Sequence, residues 1–218
     1  MTAPTRRRRS KLAPDPTVRR TILAAATEAL CEHGVRGLSV AAVLDRAELS
    51  TRAFYRHFES KDHVIAAVFY ETARVEKRRL TKSMAKTAGP VEAVAAWIDG
   101  RLDLAFDENI KSDLRRLSLE AQSQMFAAPE LIQPAFEEML KPLIEQLSRG
   151  LNVGVFDHIN PVAEAQLIHG AVWASTQRHW AGGHSEPVEV RSRVLWFCLR
   201  GLGVRAATID DIAARGRQ

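Results

Sequence analysis

Within ten residues the chain carries five side chains that bind anions or exchange hydrogen bonds: Arg52, Tyr55, Arg56, His57 and Lys61. An arginine guanidinium matches the O6 and N7 acceptors of guanine with two parallel hydrogen bonds, worth about 1–3 kcal/mol of discrimination. Tyrosine, histidine and lysine side chains suit phosphate oxygens. This combination is typical of a surface that binds double-stranded nucleic acid.

A short helix would sort these side chains by face. At about 100° per residue, Phe58 falls on the same side as Phe54, which we take as the buried reference. Arg52 and Arg56 then lie on the opposite side, and Tyr55 lies to one side. We therefore expect the two phenylalanines to anchor the helix and the arginines to face outward.

Three hydroxyl side chains stand at the starts of predicted helices. Thr51 lies in the first turn of the basic helix, where its methyl group could meet a thymine methyl. Ser50 is the predicted N-cap of that helix and a candidate DNA contact. Ser39 precedes another apolar-periodic segment, and it could bind phosphate or act only as a cap.

The positive charge is confined to the N-terminal part of the chain. Residues 1–62 contain 12 Lys and Arg against 7 Asp and Glu, whereas residues 63–218 contain 19 of each. A positive field in one small region indicates a module that binds a polyanion, with chance clustering as the alternative. Arg6 to Arg9 form a basic arm that could enter a minor groove, raise nonspecific affinity or remain a solvated terminus.

Apolar residues at helical spacing predict an all-α protein of about nine helices. The first helix starts at Pro16 and stops near Gly34, a two-turn helix follows Ser39, and the basic helix runs from Ser50 to Phe58. A long fourth helix, residues 62–86, connects to the second part of the chain after the breaker sequence "TAGP". Further helices are predicted at residues 91–107, 110–126, 129–151 and 161–180 and from residue 187. We thus expect a flexible arm (1–16), a DNA-binding domain (17–62) and a helical domain (87–218).

The last two predicted helices are apolar on more than one face. Such helices need more packing partners than one protomer readily offers, which favours a homodimer. The alternative is that they complete the core of the protomer. The expected interface residues are Leu167, Ala171, Ala174, Val190, Val194, Phe197 and Gly201.

The second part of the chain also offers candidates for a ligand pocket. Aromatic and sulfur side chains on apolar helix faces would form its walls, and polar residues beside them would orient the ligand. The candidates are Trp97, Glu120, Gln124, Met125, Phe126, Trp173 and Trp180.

The pattern "TILAAATEALCEHGVRGLSVAAVLDRAELSTRAFYRHFESKDHVIAAVF" resembles the DNA-binding domain of the TetR family of bacterial transcriptional regulators. It is similar in helix order, in "LSV" at the start of helix 2 and in "STRAFYRHFESKD". One departure is Glu48, at a turn position where the family commonly has glycine. If the turn keeps a positive φ, Glu48 costs on the order of 1 kcal/mol.

The resemblance implies a homodimer with an N-terminal helix-turn-helix domain and a C-terminal domain for dimerisation and ligand binding. It further implies a repressor that a small apolar or amphipathic effector releases from a palindromic operator in double-stranded DNA. A regulator without a ligand, or an activator, is the alternative. The N-terminus lacks the apolar segment of a signal peptide, so we expect a cytoplasmic protein. We expect no enzyme activity, cofactor, metal or membrane partner, because the sequence has no nucleophile–base pair, metal-ligand spacing, glycine-rich phosphate loop or long apolar span.

Overall fold

The computed structural model describes residues 15–107, 109–110, 112–125, 127–182 and 186–215. In this part of the chain it contains ten α-helices and no strand, which confirms the all-α fold. The helices are α1 (Pro16–Gly37), α2 (Val40–Ala47), α3 (Thr51–His57), α4 (Lys61–Met84), α5 (Pro90–Phe106), α6 (Ser112–Gln124), α7 (Pro129–Asn152), α8 (Pro161–Trp180), α9 (Pro187–Gly201) and α10 (Ala206–Arg215).

The chain divides into two compact units, an N-terminal unit that ends at Val68 and a C-terminal unit that begins at Phe69. The division falls inside α4, which the sequence predicts as the connecting helix. Across the described residues, no helix has the length and hydropathy needed to cross a membrane. In the same residues, no group of His, Cys, Asp and Glu side chains could hold a metal ion.

In the N-terminal unit, α1 packs against α2 and α3. The regular part of α1 ends where predicted, because Gly34 has a positive φ of 64° inside the longer helical segment. The side chains of Ser39 and Ser50 cap α2 and α3, as their sequence positions predict. Each such cap stabilises a helix by about 1 kcal/mol.

In the C-terminal unit, α5 lies at the centre. It contacts α6, α7, α8 and α9, and most of its residues are buried, as an apolar pattern on two faces predicts. The sequence analysis did not anticipate α10, which packs against α9 through buried Ile209 and Ile212.

Candidate DNA-binding surface and ligand cavity

Two buried phenylalanines anchor α3 in the N-terminal unit. Phe54 and Phe58 are 0% and 1% exposed, and their ring centroids lie 5.8 Å apart. The Arg19 guanidinium of α1 lies 5.2 Å from the centroid of the Phe58 ring, in cation–π distance. Burial of each phenylalanine contributes about 1.5–3 kcal/mol, which fixes the orientation of a helix only seven residues long.

The opposite face of α3 is exposed. Thr51, Arg52, Tyr55 and Arg56 all reach solvent. Tyr55 is 56% exposed, and its ring stands edge-on to the buried Phe54 ring with centroids 5.3 Å apart. In the described part of the chain neither Arg52 nor Arg56 forms a salt bridge. Both guanidinium groups can therefore bind an external acceptor.

His57 and Lys61 are half-buried beside this face. The Lys61 ammonium donates to the carbonyl oxygen of Val35 at 3.4 Å, which ties the first turn of α4 to the end of α1. An ammonium has three donors, so Lys61 keeps donors for a phosphate. The buried Nδ1 of His57 has no hydrogen-bond partner among the described residues.

The hydroxyl groups of Ser39 and Ser50 serve as helix caps. Their oxygens accept from the backbone N–H groups of Ala42 at 3.1 Å and Ala53 at 3.3 Å. Both serines are exposed, and each hydroxyl can still donate its own proton to a phosphate oxygen. Capping and phosphate contact are thus compatible roles at these two positions.

The turn between α2 and α3 keeps the positive φ that glycine normally supplies. Glu48 has φ 53° and ψ 41°, in the left-handed region. Its side chain is exposed. The departure from the family pattern is therefore a difference of residue and not of backbone geometry.

The C-terminal unit exposes large apolar side chains on α8 and α9. Leu167 is 64% exposed and Phe197 is 71% exposed. Ala174 and Gly201 are also exposed, and Ala171 is half-buried. Large apolar side chains at this degree of exposure are typical of a protein–protein contact.

Val190 and Val194 do not share this surface. They are 7% and 3% exposed, because the side of α9 that carries them packs within the protomer. The sequence analysis grouped them with Phe197 by helical spacing alone. Their assignment to a dimer interface is corrected: both valines belong to the core of the C-terminal unit.

A cavity of about 50 Å³, partly open to solvent, lies within the C-terminal unit. Its wall is mostly apolar, with a few polar side chains. The lining residues come from α4 to α8 and are Phe69, Thr72, Ala73, Glu76, Arg101, Leu117, Ser118, Ala121, Gln122, Ile132, Ala135, Phe136, Met139 and His169. A smaller cavity shares Arg101, Ser118 and His169 with it and is also lined by Trp173 and Trp180.

A buried ion-pair group forms the polar end of the larger cavity. The Glu76 carboxylate, 2% exposed, lies 3.1 Å from the Arg101 guanidinium and 2.8 Å from that of Arg79. Burial alone raises the pKa of Glu76, but the hydrogen bonds and charges of Arg79 and Arg101 outweigh it and hold the pKa below its usual range. Glu76 is therefore ionised, and both of its oxygens are occupied by arginines.

His169 lies beside this group on α8 and is 4% exposed. Its ring stands edge-on to Phe136, with centroids 4.6 Å apart, and to Trp97 at 6.3 Å. Burial, and then the charge of Arg101, lower the pKa of His169 to about 3. The imidazole is therefore neutral at pH 7, and neither nitrogen has a hydrogen-bond partner among the described residues.

The structure brings together only some of the ligand-contact candidates. Trp173 and Trp180 line the smaller cavity, with ring centroids 5.6 Å apart. Trp97 is fully buried behind His169. The described lining of the two cavities does not include Glu120, Gln124 or Met125, and Phe126 lies outside the described residues.

Sequence reasoning missed Arg101 and His169. Their signal was a single polar residue on an otherwise apolar face of a buried helix. Such a residue is expensive to bury without a partner, so it marks either an internal ion pair or a binding site. Arg101 forms an internal ion pair, and the nitrogens of His169 have no partner in the described part of the chain.

Comparison with known proteins identifies the N-terminal part of the chain. Residues 22–68 match the family model described as bacterial regulatory proteins, tetR family. This range covers α2, α3 and their buried anchors, and it confirms the resemblance found in the sequence. The chain therefore carries a TetR-family helix-turn-helix domain at its N-terminus.

Solved structures resemble the whole fold. RolR in complex with resorcinol superposes with a TM-score of 0.69 at 20% identity, covering 91% of this chain and 94% of RolR. FadR from Bacillus subtilis in complex with stearoyl-CoA gives a TM-score of 0.64 at 20% identity, covering 82% and 96%. At this identity the likeness concerns the fold alone. No curated protein matches the chain in sequence.

Proposed function

We propose that the chain is a sequence-specific, dimeric transcriptional regulator that recognises a palindromic operator through α3. The observation that carries this proposal is the exposure of Arg52 and Arg56, which form no salt bridge within the described residues, on a helix anchored by Phe54 and Phe58. Arg52, Arg56 and Thr51 read base edges, whereas Ser39, Ser50, Tyr55, His57 and Lys61 contact phosphate.

Two copies of the chain pair through α8 and α9, with Leu167 and Phe197 at the contact. A dimer related by a twofold axis matches an operator with two half-sites about 34–36 Å apart, or a multiple of that distance. Exposed Gly201 and Ala174 allow close approach of the second copy.

The cavity of the C-terminal unit binds the effector. Its wall includes Phe69, Ala73 and Glu76 of α4, a continuous helix that begins in the N-terminal unit at Lys61. A ligand that shifts these side chains acts on the helix that the two units share. The ligand releases DNA if it binds more tightly to the protein conformation that has the lower affinity for DNA. RolR and FadR, with resorcinol and stearoyl-CoA bound, show that this fold accommodates ligands.

The proposal implies a cytoplasmic repressor without enzymatic activity. A gel-shift assay and a footprint on the DNA that flanks its gene test the proposal. Protection of a palindrome, lost when a cavity ligand is added, is the expected result. Protection that no ligand changes would favour a regulator that is not controlled by a small molecule, and absence of any protected palindrome would contradict DNA recognition.

A further inference from the structure

The polar end of the cavity contains donors and an acceptor that the protein does not use. The Nε of Arg101 and both nitrogens of His169 are buried and have no hydrogen-bond partner among the described residues. Arg101 is 7% exposed and His169 is 4% exposed, so bulk solvent does not satisfy these atoms. Buried polar groups in native proteins are normally paired, and each unpaired one costs about 1–3 kcal/mol. These atoms line the cavity and are available to pair with a molecule bound in it.

The two side chains require different partners. A guanidinium only donates hydrogen bonds, whereas a neutral imidazole donates through one nitrogen and accepts through the other. A carboxylate ligand only accepts, so it can pair with Arg101 and with the imidazole N–H but cannot donate to the other imidazole nitrogen. An ammonium ligand has no acceptor for Arg101 and would be repelled by it. A hydroxyl group can accept from Arg101 and donate to His169 at the same time.

The charges around this end already balance at pH 7. Glu76 pairs with Arg101 and Arg79, and Arg79 lies 3.8 Å from Asp103. Burial raises the pKa of Asp103 to about 6, which still leaves it mostly ionised at pH 7. Two positive and two negative groups then sum to zero, so a charged ligand would be an uncompensated charge in a desolvated site.

The rest of the wall favours a flat apolar body. Phe69, Leu117, Ile132, Phe136 and Met139 line the space beyond the polar end. The Phe136 ring stands edge-on to His169 and lines the same cavity, so it offers an aromatic ligand a ring to pack against. The cavity is small, about 50 Å³, and partly open at its mouth, which favours a compact ligand.

We propose that the effector is a compact, uncharged aromatic molecule with a hydroxyl group, held between Arg101 and His169. This proposal rests on the proposed function only in treating the cavity as the effector site. Its test is direct binding to the full-length protein, which requires no operator.

The experiment compares phenol, benzoate, benzylamine and toluene by calorimetry and thermal shift. Phenol is expected to bind at least tenfold more tightly than each of the other three probes. Tighter binding of benzoate would overturn the proposal in favour of an acidic ligand. If toluene binds as tightly as phenol, the polar end plays no part in binding. If none of the probes binds, the cavity takes none of these ligands. Either result overturns the proposal.

A variant pair assigns the effect to His169. His169→Phe keeps a ring against Phe136 and removes both nitrogens. It is expected to weaken the binding of phenol at least tenfold and to leave the affinity for toluene unchanged. His179→Phe is the matched control, since His179 also packs on a phenylalanine, Phe106, and lines neither cavity. An equal loss in both variants would contradict the assignment.

A gel shift with the same proteins separates the two proposals. Intact DNA binding without phenol binding would overturn the ligand class and leave the DNA-binding function standing. Phenol binding by a protein that binds no operator would support the site and contradict the proposed function.

Discussion

The backbone N–H of Leu49 donates to the carbonyl oxygen of Leu44 at 3.1 Å, across the left-handed residue Glu48. Two other helix ends have the same hydrogen bond: Val155 donates to Gly150 and Val204 to Leu199. There the left-handed residues are glycines, Gly154 and Gly203, with φ of 70° and 79°. The turn before the candidate recognition helix thus uses a glutamate where this chain otherwise uses glycine.

Glu48→Gly is expected to stabilise the protein by about 1 kcal/mol, because glycine adopts a positive φ without a Cβ clash. Urea unfolding followed by circular dichroism measures the change. Glu48→Ala is the matched control, since it removes the same charge and keeps the strain. A stability gain of equal size in both variants would show that the charge, and not the backbone, is responsible.

Arg52→Ala is expected to weaken operator binding by about 1–3 kcal/mol per half-site and to relax the preference at one base pair. Lys61→Ala is expected to weaken binding to all sequences alike and to lower the slope of log affinity against log salt by about one unit. Binding titrations at several salt concentrations, on the operator and on a scrambled duplex, measure both effects. A changed base preference in the Lys61 variant would contradict this division of roles.

Phe197→Glu is expected to convert the dimer into monomers. The side chain is 71% exposed in the protomer. In a twofold dimer the Phe197 side chains of both copies are buried, and together they contribute about 3–6 kcal/mol to the free energy of dimerisation. Sedimentation equilibrium measures the dissociation constant. Val153→Glu, a substitution of an equally accessible residue outside α8 and α9, is the control and leaves the dimer intact. Dimers that persist in the Phe197 variant would place the interface elsewhere.

Glu138→Gln tests an ion-pair link between α4 and α7. The hydrogen bonds from Lys141 and Lys77 lower the pKa of Glu138 to about 2, below its ordinary 4.5. The carboxylate therefore stabilises the fold above pH 4.5, and this contribution is lost as pH falls from 4.5 toward 2. The difference in unfolding free energy between wild type and variant should be about 1–2 kcal/mol at pH 7 and should shrink with acidification. Glu137→Gln is the control, and a difference that does not change with pH would contradict the assignment.

The geometry of the candidate DNA-binding surface could be predicted from the sequence because its determinants are local. The caps Ser39 and Ser50, the anchors Phe54 and Phe58, and the outward face of Arg52 and Arg56 all follow from spacing within one or two helical turns. The left-handed geometry at Glu48 could not be predicted, because the sequence lacks the glycine that adopts a positive φ readily.

The cavity could not be predicted in the same way. Glu76, Arg101 and His169 meet because α4, α5 and α8 pack together, and no local spacing encodes that meeting. The aromatic candidates chosen from the sequence were placed by hydrophobicity alone, which does not distinguish core from cavity. The short helix α10 has a helical pattern at Ile209 and Ile212, but ten residues give a weak signal.

The most direct test of the account is a footprint on the DNA that flanks the gene, with wild type and the Arg52→Ala/Arg56→Ala double variant. Both residues are exposed and unpaired in the described chain, so the double variant should keep its fold and its dimer. The account predicts a protected palindrome with wild type and none with the double variant at the same concentration. Equal protection by the two proteins, or no protected palindrome with wild type, would contradict it.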